Sequence, residues 1–428
     1  MKVSVLAVLA FIFVCSGANP VTLFKPFHGH GWGKFDKVPP IDPNTPKSPT
    51  YYFDSKIDNF DPNNFKTYKQ RYWYSTQWYK PGGPQFLMVG GETEMSSGWV
   101  DSGGSQFGML AKEVGAAVFT LEHRFYGESQ PTGDLTFQSL KFLTSEQALA
   151  DIKAFIISMN AQFKFNHTRW ITFGGSYPGA LSAWARQMYP NLIYAAVASS
   201  APVQAVVDNS EYLEVVFNAL KNYDPKCAES VHRGFLKLNE LMKTFDGKKQ
   251  VSKLFNTCYQ LQNDSDNISY FYEAIIDPYM NEIQDSDAAT IANLCSVQTS
   301  GSDGLEGIVA VYHYYVAGDQ CLNTDYATFL LYLRKTDLSN VGWAGSILKI
   351  SILFKNILQG TKVVFPSGTN DPWHVLGVLS PTNDKTYPII IDGASHCADM
   401  IPNSATDTPA LIEARKKIRS HVLSWVYE

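Results

Sequence analysis

The residues with the clearest capacity for chemistry surround Ser176. The stretch from Trp170 to Ala180 is an apolar run, a Gly-Gly-Ser turn and the start of a helix. Small residues before a serine let the backbone bend tightly, and the following helix directs positive potential towards a developing oxyanion. Pro178 occupies the place of the second glycine of such a turn, which the first turn of a helix tolerates. We expect Ser176 to be a nucleophile and the Tyr177 N–H to be an oxyanion donor.

An acid and a histidine follow Ser176 along the chain, in the order that α/β-hydrolases present their catalytic groups. The apolar run Lys362 to Phe365 leads into a loop that carries Asp371. His396 follows the last apolar run on a loop of small residues. Such an imidazole can take the serine proton and later protonate the leaving amine, while the acid holds its tautomer. Asp371 and His396 therefore complete a predicted triad.

Three other residues compete for these roles. His374 shares its loop with Asp371, and His421 lies within an amphipathic stretch near the end of the chain. Cys397 is a rival nucleophile, because a neighbouring histidine can lower a thiol pKa. The turn before Ser176 has no counterpart at Cys397, so we favour the serine.

These groups must be positioned by a scaffold of buried strands and amphipathic helices. Short apolar runs typical of a mostly parallel sheet recur from about Gln70 onward. A helix predicted from Thr144, with Gln147 completing a capping box, presents one apolar face. Strands alternating with helices predict a doubly wound α/β sheet. The predicted strands are Phe86–Val89, Ala117–Leu121, Trp170–Phe173, Ala195–Ala198, Lys362–Phe365 and Tyr387–Ile391.

The alternation stops at about Val206 and resumes at about Leu358, with a mostly helical pattern between them. We assign residues 51–205 and 346–428 to a discontinuous α/β-hydrolase domain and residues 206–345 to a helical cap insertion. Ligands bind at the carboxyl ends of the strands in such sheets, so the cap is expected to restrict access to the site.

The start of the chain has the features of a targeting segment. Lys2 precedes an apolar run, and small residues follow at Ser16 to Ala18, which predicts a cleaved signal peptide of residues 1–18. Residues 19–50 are rich in Pro, Gly and His and are assigned to an irregular arm or propeptide. We expect a protein of the secreted or lysosomal lumen that does not span a membrane.

Other features agree with an oxidising compartment. Sequons for N-glycosylation begin at Asn166, Asn263 and Asn267. Two disulfides are expected in the cap, although spacing does not determine the pairing. A net charge of -5 argues against nucleic acid as a partner, and the sequence implies no metal or other cofactor. The cysteines that follow the signal are Cys227, Cys258, Cys295, Cys321 and Cys397.

Five motifs and one histidine occur along the chain, namely Gln70–Tyr72, Gly90–Glu92, Glu122–Ser129, Gly174–Gly179, Asn370–Trp373 and His396. Taken together, they resemble the S28 serine peptidases, and the sequence around Ser176 is most similar to the thymus-specific branch of that family. The resemblance implies the same triad, peptide substrates and the disulfides Cys227–Cys295 and Cys258–Cys321. It also implies cleavage beside proline, with Trp373 in the proline pocket.

The sequence is compatible with more than one role for some residues and with more than one activity. Glu92 and the stretch Glu122–Gly127 either orient the substrate or brace the site with buried ion pairs. A carboxypeptidase and a dipeptidyl peptidase both fit, and a homodimer is compatible with the sequence. An esterase or lipase with the same triad, or a non-catalytic binding protein on this fold, is the alternative function.

Overall fold

An eight-stranded sheet organises the part of the chain that the computed structural model describes, namely residues 45–165, 167–206, 208–316, 321–334, 336 and 360–428. Its strand order is β1-β2-β4-β3-β5-β6-β7-β8. The pairings β1–β2 and β2–β4 are antiparallel and all others are parallel. The strands are β1 (Tyr51–Lys56), β2 (Thr67–Ser75), β3 (Gln85–Val89), β4 (Ala117–Leu121), β5 (Trp170–Gly175), β6 (Ile193–Ser199), β7 (Val363–Gly368) and β8 (Thr386–Ile391).

Helices cover both faces of this sheet and fill the segment between β6 and β7. In the described residues they are α1 (Gly98–Asp101), α2 (Gln106–Val114), α3 (Phe137–Leu140), α4 (Ser145–Phe163), α5 (Tyr177–Met188), α6 (Glu211–Tyr223), α7 (Pro225–Leu241), α8 (Phe245–Leu254), α9 (Ser265–Gln284), α10 (Ala288–Gln298), α11 (Gly304–Tyr315), α12 (Tyr326–Leu333) and α13 (Pro409–Tyr427). A short 3-10 helix spans His374–Leu376.

Two apolar cores hold the helices to the sheet. On one face, α4 and α5 pack around Phe119, Phe155 and Trp170. On the other face, α2 and α13 pack around Phe173 and Val364. A mostly parallel sheet buried on both faces has the architecture of the α/β-hydrolase fold. The carboxyl ends of β5, β7 and β8, which the predicted triad residues follow, lie at one edge of it.

All six predicted strands are present, with ends that differ by a few residues. The sequence pattern missed β1 and β2, which pair antiparallel with each other at one side of the sheet. The side chains of β1 alternate between exposed and more buried positions. Such a strand lacks the continuous apolar run that marks the buried strands.

The helix predicted from Thr144 is α4, and the Thr144 side chain accepts the Gln147 N–H at 3.2 Å. The predicted capping box is wrong in its second half. The Gln147 amide instead accepts the Asn59 N–H at 2.9 Å and donates to Asp58 at 2.7 Å. Gln147 therefore connects the loop after β1 to the helix. This long-range contact uses the side-chain amide that the second half of a capping box would need.

The segment between β6 and β7 contains helices α6 to α12 among its described residues, built around two apolar clusters. The disulfides Cys227–Cys295 and Cys258–Cys321 are both formed, which is the pairing that the resemblance implies. The predicted boundary at residues 345 and 346 lies outside the described residues, as do the signal segment and most of the arm. Among the described helices, none is long and apolar enough to cross a membrane.

The predicted glycosylation sites differ in their surroundings. Asn263 is exposed just before α9. Asn267 lies in the first turn of α9, where it is half-buried and accepts the Tyr326 N–H at 2.8 Å. Asn166 lies outside the described residues. Exposure therefore favours Asn263 as a carrier of a glycan.

Candidate active site

Ser176 occupies the sharp turn between β5 and α5. Its backbone has φ 60° and ψ -133°, a conformation that is strained for a residue with a side chain. The Ser176 N–H donates to the Ser199 carbonyl at 2.9 Å at the end of the neighbouring strand β6. The side chain is partly exposed, as a nucleophile at the tip of an elbow must be.

Glycines make this elbow sterically feasible. A Cβ on Gly174 would lie 2.2 Å from the Pro178 carbonyl oxygen, and a Cβ on Gly91 would lie 2.3 Å from Pro178 Cγ. Neither contact is sterically allowed, so only glycine fits at these two positions. Gly91 brings the loop after β3 directly against the start of α5. That loop therefore lies beside Ser176.

The predicted acid and base are in direct contact. His396 Nδ1 lies 2.8 Å from Asp371 Oδ1, and the same oxygen accepts the Trp373 N–H at 3.0 Å. Asp371 is fully buried and His396 is 8% exposed. A buried carboxylate at Nδ1 holds the ring in one tautomer and orientation, leaving Nε2 available as a base.

The electrostatics of this pair favour a protonated imidazole. Burial lowers the pKa of His396, but the charge of Asp371 and its hydrogen bond to the ring outweigh the effect of burial and raise that pKa well above its usual value. Burial raises the pKa of Cys397, against the opposing effect of His396. Cys397 is fully buried and carries a raised pKa, which makes it a poor nucleophile.

Ser199 connects the serine elbow to the histidine loop. Its carbonyl accepts the Ser176 N–H, while its hydroxyl donates to the Asp399 carboxylate in a short hydrogen bond. Asp399 lies three residues beyond His396 and is buried, and burial raises its pKa to about 6 in spite of Ser199 and Arg415. This chain of contacts brings the His396 loop and Ser176 to the same edge of the sheet.

The Tyr177 side chain contacts two residues of neighbouring segments. Its hydroxyl lies 3.2 Å from His123 Nε2 and 3.1 Å from Ser145 Oγ. Burial lowers the pKa of His123 to about 4, so the ring is neutral. Since His123 Nδ1 contacts the Arg124 carbonyl at 2.7 Å, Nε2 accepts the proton of Tyr177. These contacts fix the first turn of α5, directly after Ser176.

The two predicted substrate-binding residues lie in different parts of the site. Glu92 follows β3 and is half-buried. Burial is the main cause that raises the pKa of Tyr177, and the charge of Glu92 raises that pKa further. Trp373 is half-buried on the Asp371 loop and packs edge-on against Tyr212 of α6, with ring centroids 5.3 Å apart. Its indole N–H donates to Gln284 Oε1 at 2.9 Å. Trp373 therefore connects the Asp371 loop to the insertion.

The rival histidines lie outside the predicted triad. His374 Nδ1 lies 2.6 Å from the Asp371 backbone carbonyl, not from its carboxylate. His421 stacks on Tyr387, with ring centroids 4.1 Å apart, on α13. Neither histidine contacts the Asp371 side chain.

The charged stretch after β4 braces the fold. Arg124 forms two hydrogen bonds of 2.7 and 2.6 Å to Asp151 of α4, and both side chains are buried. Glu122 is fully buried and accepts from Arg71 at 2.9 and 2.6 Å. Of the two interpretations that the sequence left open, these contacts favour buried ion pairs over substrate contacts.

Two residues at the site were not found from the sequence. Gln284 contacts the loops of both His396 and Asp371 from α9, and Ser199 joins the elbow to Asp399. A glutamine at the end of a helix and a serine at the end of a strand have no motif of their own. Only the packing of the insertion and of neighbouring strands reveals them.

Comparisons with known proteins agree along most of the chain. A family model described as serine carboxypeptidase S28 matches residues 55–347 and 346–418. A Caenorhabditis elegans protein that is a serine protease by name, K12H4.7, is 36% identical in an alignment that covers 88% of this chain and 88% of that protein. Human thymus-specific serine protease is 28% identical, with 88% of this chain and 86% of the relative covered. Human lysosomal Pro-X carboxypeptidase is 29% identical, with 88% of each chain covered.

Proposed function

The chain belongs to the serine carboxypeptidase S28 family and is a serine-type peptidase, and we propose that Ser176, Asp371 and His396 are its catalytic triad. The observation that carries this proposal is the buried Asp371–His396 hydrogen bond at 2.8 Å. The Ser176 elbow is tied to the same edge of the sheet through Ser199.

The proposed reaction proceeds through an acyl-enzyme. The Ser176 hydroxyl oxygen attacks the scissile carbonyl while His396 Nε2 accepts the hydroxyl proton. Asp371 stabilises the imidazolium that forms. The imidazolium then protonates the leaving amine, and a water molecule activated by the same histidine releases the acyl group. The Tyr177 N–H stabilises the oxyanion, and the loop at Gly91 is positioned to contribute a second donor.

We assign the substrates to the peptide class and the activity to exopeptidase cleavage. The helices of the insertion contact the catalytic loops at Gln284. An insertion that covers the site in this way admits the ends of a peptide more readily than its internal segments. A preference for proline is supported by the half-buried indole of Trp373, a flat apolar surface beside the triad. The relative named Pro-X carboxypeptidase carries such a preference in its name. Glu92 is proposed as a further substrate contact.

The compartment is proposed to be the secreted or lysosomal lumen. The structure contains two disulfides, which persist in oxidising compartments and are rare in the cytosol. One of the relatives is named as lysosomal. Cleavage of a signal peptide after Ala18, glycosylation and a homodimer remain predictions.

Cleavage of defined peptides tests the proposal. Purified protein and the Ser176→Ala variant would be incubated at pH 5 and pH 7 with peptides carrying proline second from the amino end or second from the carboxyl end. We expect one set to be cleaved by the wild type and neither by the variant. The cleaved set identifies the terminus that is recognised.

Other outcomes would redirect the assignment. Turnover of a lipid ester without peptide cleavage would favour an esterase on the same scaffold. A folded protein that cleaves neither peptide set and does not react with a fluorophosphonate would favour a binding protein.

A further inference from the structure

The insertion contacts the acid and the base of the triad through one residue, Gln284 at the end of α9. Its backbone carbonyl accepts the His396 N–H at 2.9 Å. Its side-chain oxygen Oε1 accepts the Trp373 indole N–H at 2.9 Å and the Tyr212 hydroxyl at 2.9 Å. One glutamine thus makes contact with both catalytic loops.

These contacts form a closed ring of hydrogen bonds. The Gln284 carbonyl holds the His396 backbone, and His396 Nδ1 pairs with Asp371 Oδ1. The same oxygen accepts the Trp373 backbone N–H, and the Trp373 indole returns to Gln284 Oε1. A displacement of any member therefore changes the geometry between Asp371 and His396.

The position of Gln284 in α9 adds an electrostatic effect. The last carbonyls of a helix lack partners within the helix and carry its partial negative charge. α9 ends at Gln284, so its carbonyl end faces the loop of the residue that becomes an imidazolium during catalysis. Negative potential at that point favours the charged form of His396.

The surrounding contacts make the ring stiff. Tyr212 of α6 shares the acceptor Oε1 with Trp373 and packs edge-on against the Trp373 ring. Tyr212 is 5% exposed and belongs to the apolar cluster of the insertion against which Trp373 packs. The insertion therefore presents Gln284 from a packed core.

We propose that Gln284 is a positioning residue for the Asp371–His396 pair and that the insertion thereby sets the turnover rate as well as access to the site. This inference rests on the proposed triad. Gln284 itself exchanges no proton with the substrate. It acts by holding the Asp371 loop, through Trp373, and the His396 loop, through the His396 backbone, at a fixed distance from each other.

Two substitutions separate the hydrogen bond from the shape of the side chain. Gln284→Met keeps the length and removes the acceptor, and it is expected to lower kcat roughly tenfold, because small displacements of catalytic groups are costly. KM should stay within about threefold, since the substrate contacts remain. Gln284→Glu keeps an oxygen acceptor and should recover most of kcat. Active-site titration with a fluorophosphonate gives kcat per intact site, which a loss of folded protein does not change.

A partner variant and a control complete the test. Trp373→Phe removes the indole donor, and combining it with Gln284→Met should lower kcat little further than either change alone. Asn281→Ala, one turn earlier on α9, removes a 2.9 Å hydrogen bond to Asp277 and should leave kcat unchanged. If Gln284→Met retains kcat per titrated site within about twofold of wild type, while Ser176→Ala is inactive, this inference is wrong and the triad stands. If Ser176→Ala is still active, the proposed function itself fails.

Discussion

Oδ1 of Asp371 accepts the Nδ1 proton of His396 at 2.8 Å, inside a site where the carboxylate is fully buried. The Trp373 N–H donates to the same oxygen at 3.0 Å. With the Nδ1 proton committed to Asp371, the lone pair of the neutral ring lies at Nε2. This single contact decides which nitrogen can accept a proton from Ser176.

Replacing Asp371 by Asn is expected to disable this arrangement while preserving its shape. The amide can donate to Nδ1 and so favours the tautomer with its proton at Nε2, which cannot act as a base. We expect kcat to fall by about 10⁴, as for other triads with this change. Steady-state kinetics with the cleaved peptide measure it, and a thermal unfolding curve similar to wild type serves as the control. A loss smaller than about tenfold would exclude Asp371 as the acid.

The pH dependence of activity follows from the raised pKa of His396. Burial lowers this pKa, but Asp371 raises it by more than burial lowers it. Only the neutral ring can accept the serine proton. Activity should therefore be lost as the pH falls through a value above the ordinary histidine pKa of about 6.5. The contribution of the protonated Asp371–His396 pair to the free energy of unfolding has the opposite trend. It is complete below pH 6.5 and is lost as the pH rises through the raised pKa of His396.

A profile of kcat/KM from pH 4 to pH 9 measures that value. We expect higher kcat/KM at pH 7 than at pH 5. A midpoint of the acid limb well below pH 6.5 would show that Asp371 does not pair with His396 in the free enzyme.

Asp399 should make the stability of the fold depend on pH. Burial raises its pKa from 3.8 to about 6, opposed by Ser199 and Arg415. The folded state therefore favours the protonated carboxyl of Asp399. The resulting contribution to the free energy of unfolding, up to about 3 kcal/mol, is lost as the pH rises from 4 through 6. Asp399→Asn stays neutral, so its free energy of unfolding should change less between pH 4 and pH 7.

Urea unfolding at several pH values measures this difference. Asp384→Asn, at an exposed position, is a matched control that should follow the wild-type curve. An Asp399→Asn curve that is parallel to the wild-type curve would contradict the burial of an ionisable Asp399.

The buried pair Arg124–Asp151 is expected to support stability and not substrate binding. Arg124→Met leaves an uncompensated buried carboxylate and should lower the free energy of unfolding by about 3 to 5 kcal/mol. Adding Asp151→Asn removes that charge but keeps an acceptor for the Tyr68 hydroxyl, which donates to Asp151 at 3.1 Å. The double variant should recover at least half of the loss. A large change in KM with little change in stability would instead assign Arg124 to the substrate.

The sheet and the pairing of Asp371 with His396 were predictable because both depend on local patterns. Buried parallel strands are continuous apolar runs, and β5 leads into a turn whose residue types already describe its shape. Asp371 and His396 each follow a strand, so the order of the strands brings them to one edge. β1 and β2 were harder to predict, because the residues of the edge strand β1 and of the first half of β2 alternate between exposed and more buried positions.

The contacts that connect the insertion to the site were not predictable. Gln284 is far from Trp373 and His396 in sequence, and only the packing of α6 and α9 brings them together. Gln147 shows the same limit. Its spacing from Thr144 fits a capping box, yet its amide bonds to the loop at Asp58 and Asn59, because a tertiary contact competed successfully with the local one.

In the proposed triad, Ser176 is the nucleophile and His396 activates it. To locate the reactive residue, the wild-type protein is labelled with a fluorophosphonate and digested, and the adduct is identified by mass spectrometry, with Cys397→Ala and Ser176→Ala treated in parallel. We expect a single adduct on Ser176, retained in Cys397→Ala and absent from Ser176→Ala. An adduct on another residue, or labelling that survives in Ser176→Ala, would contradict it.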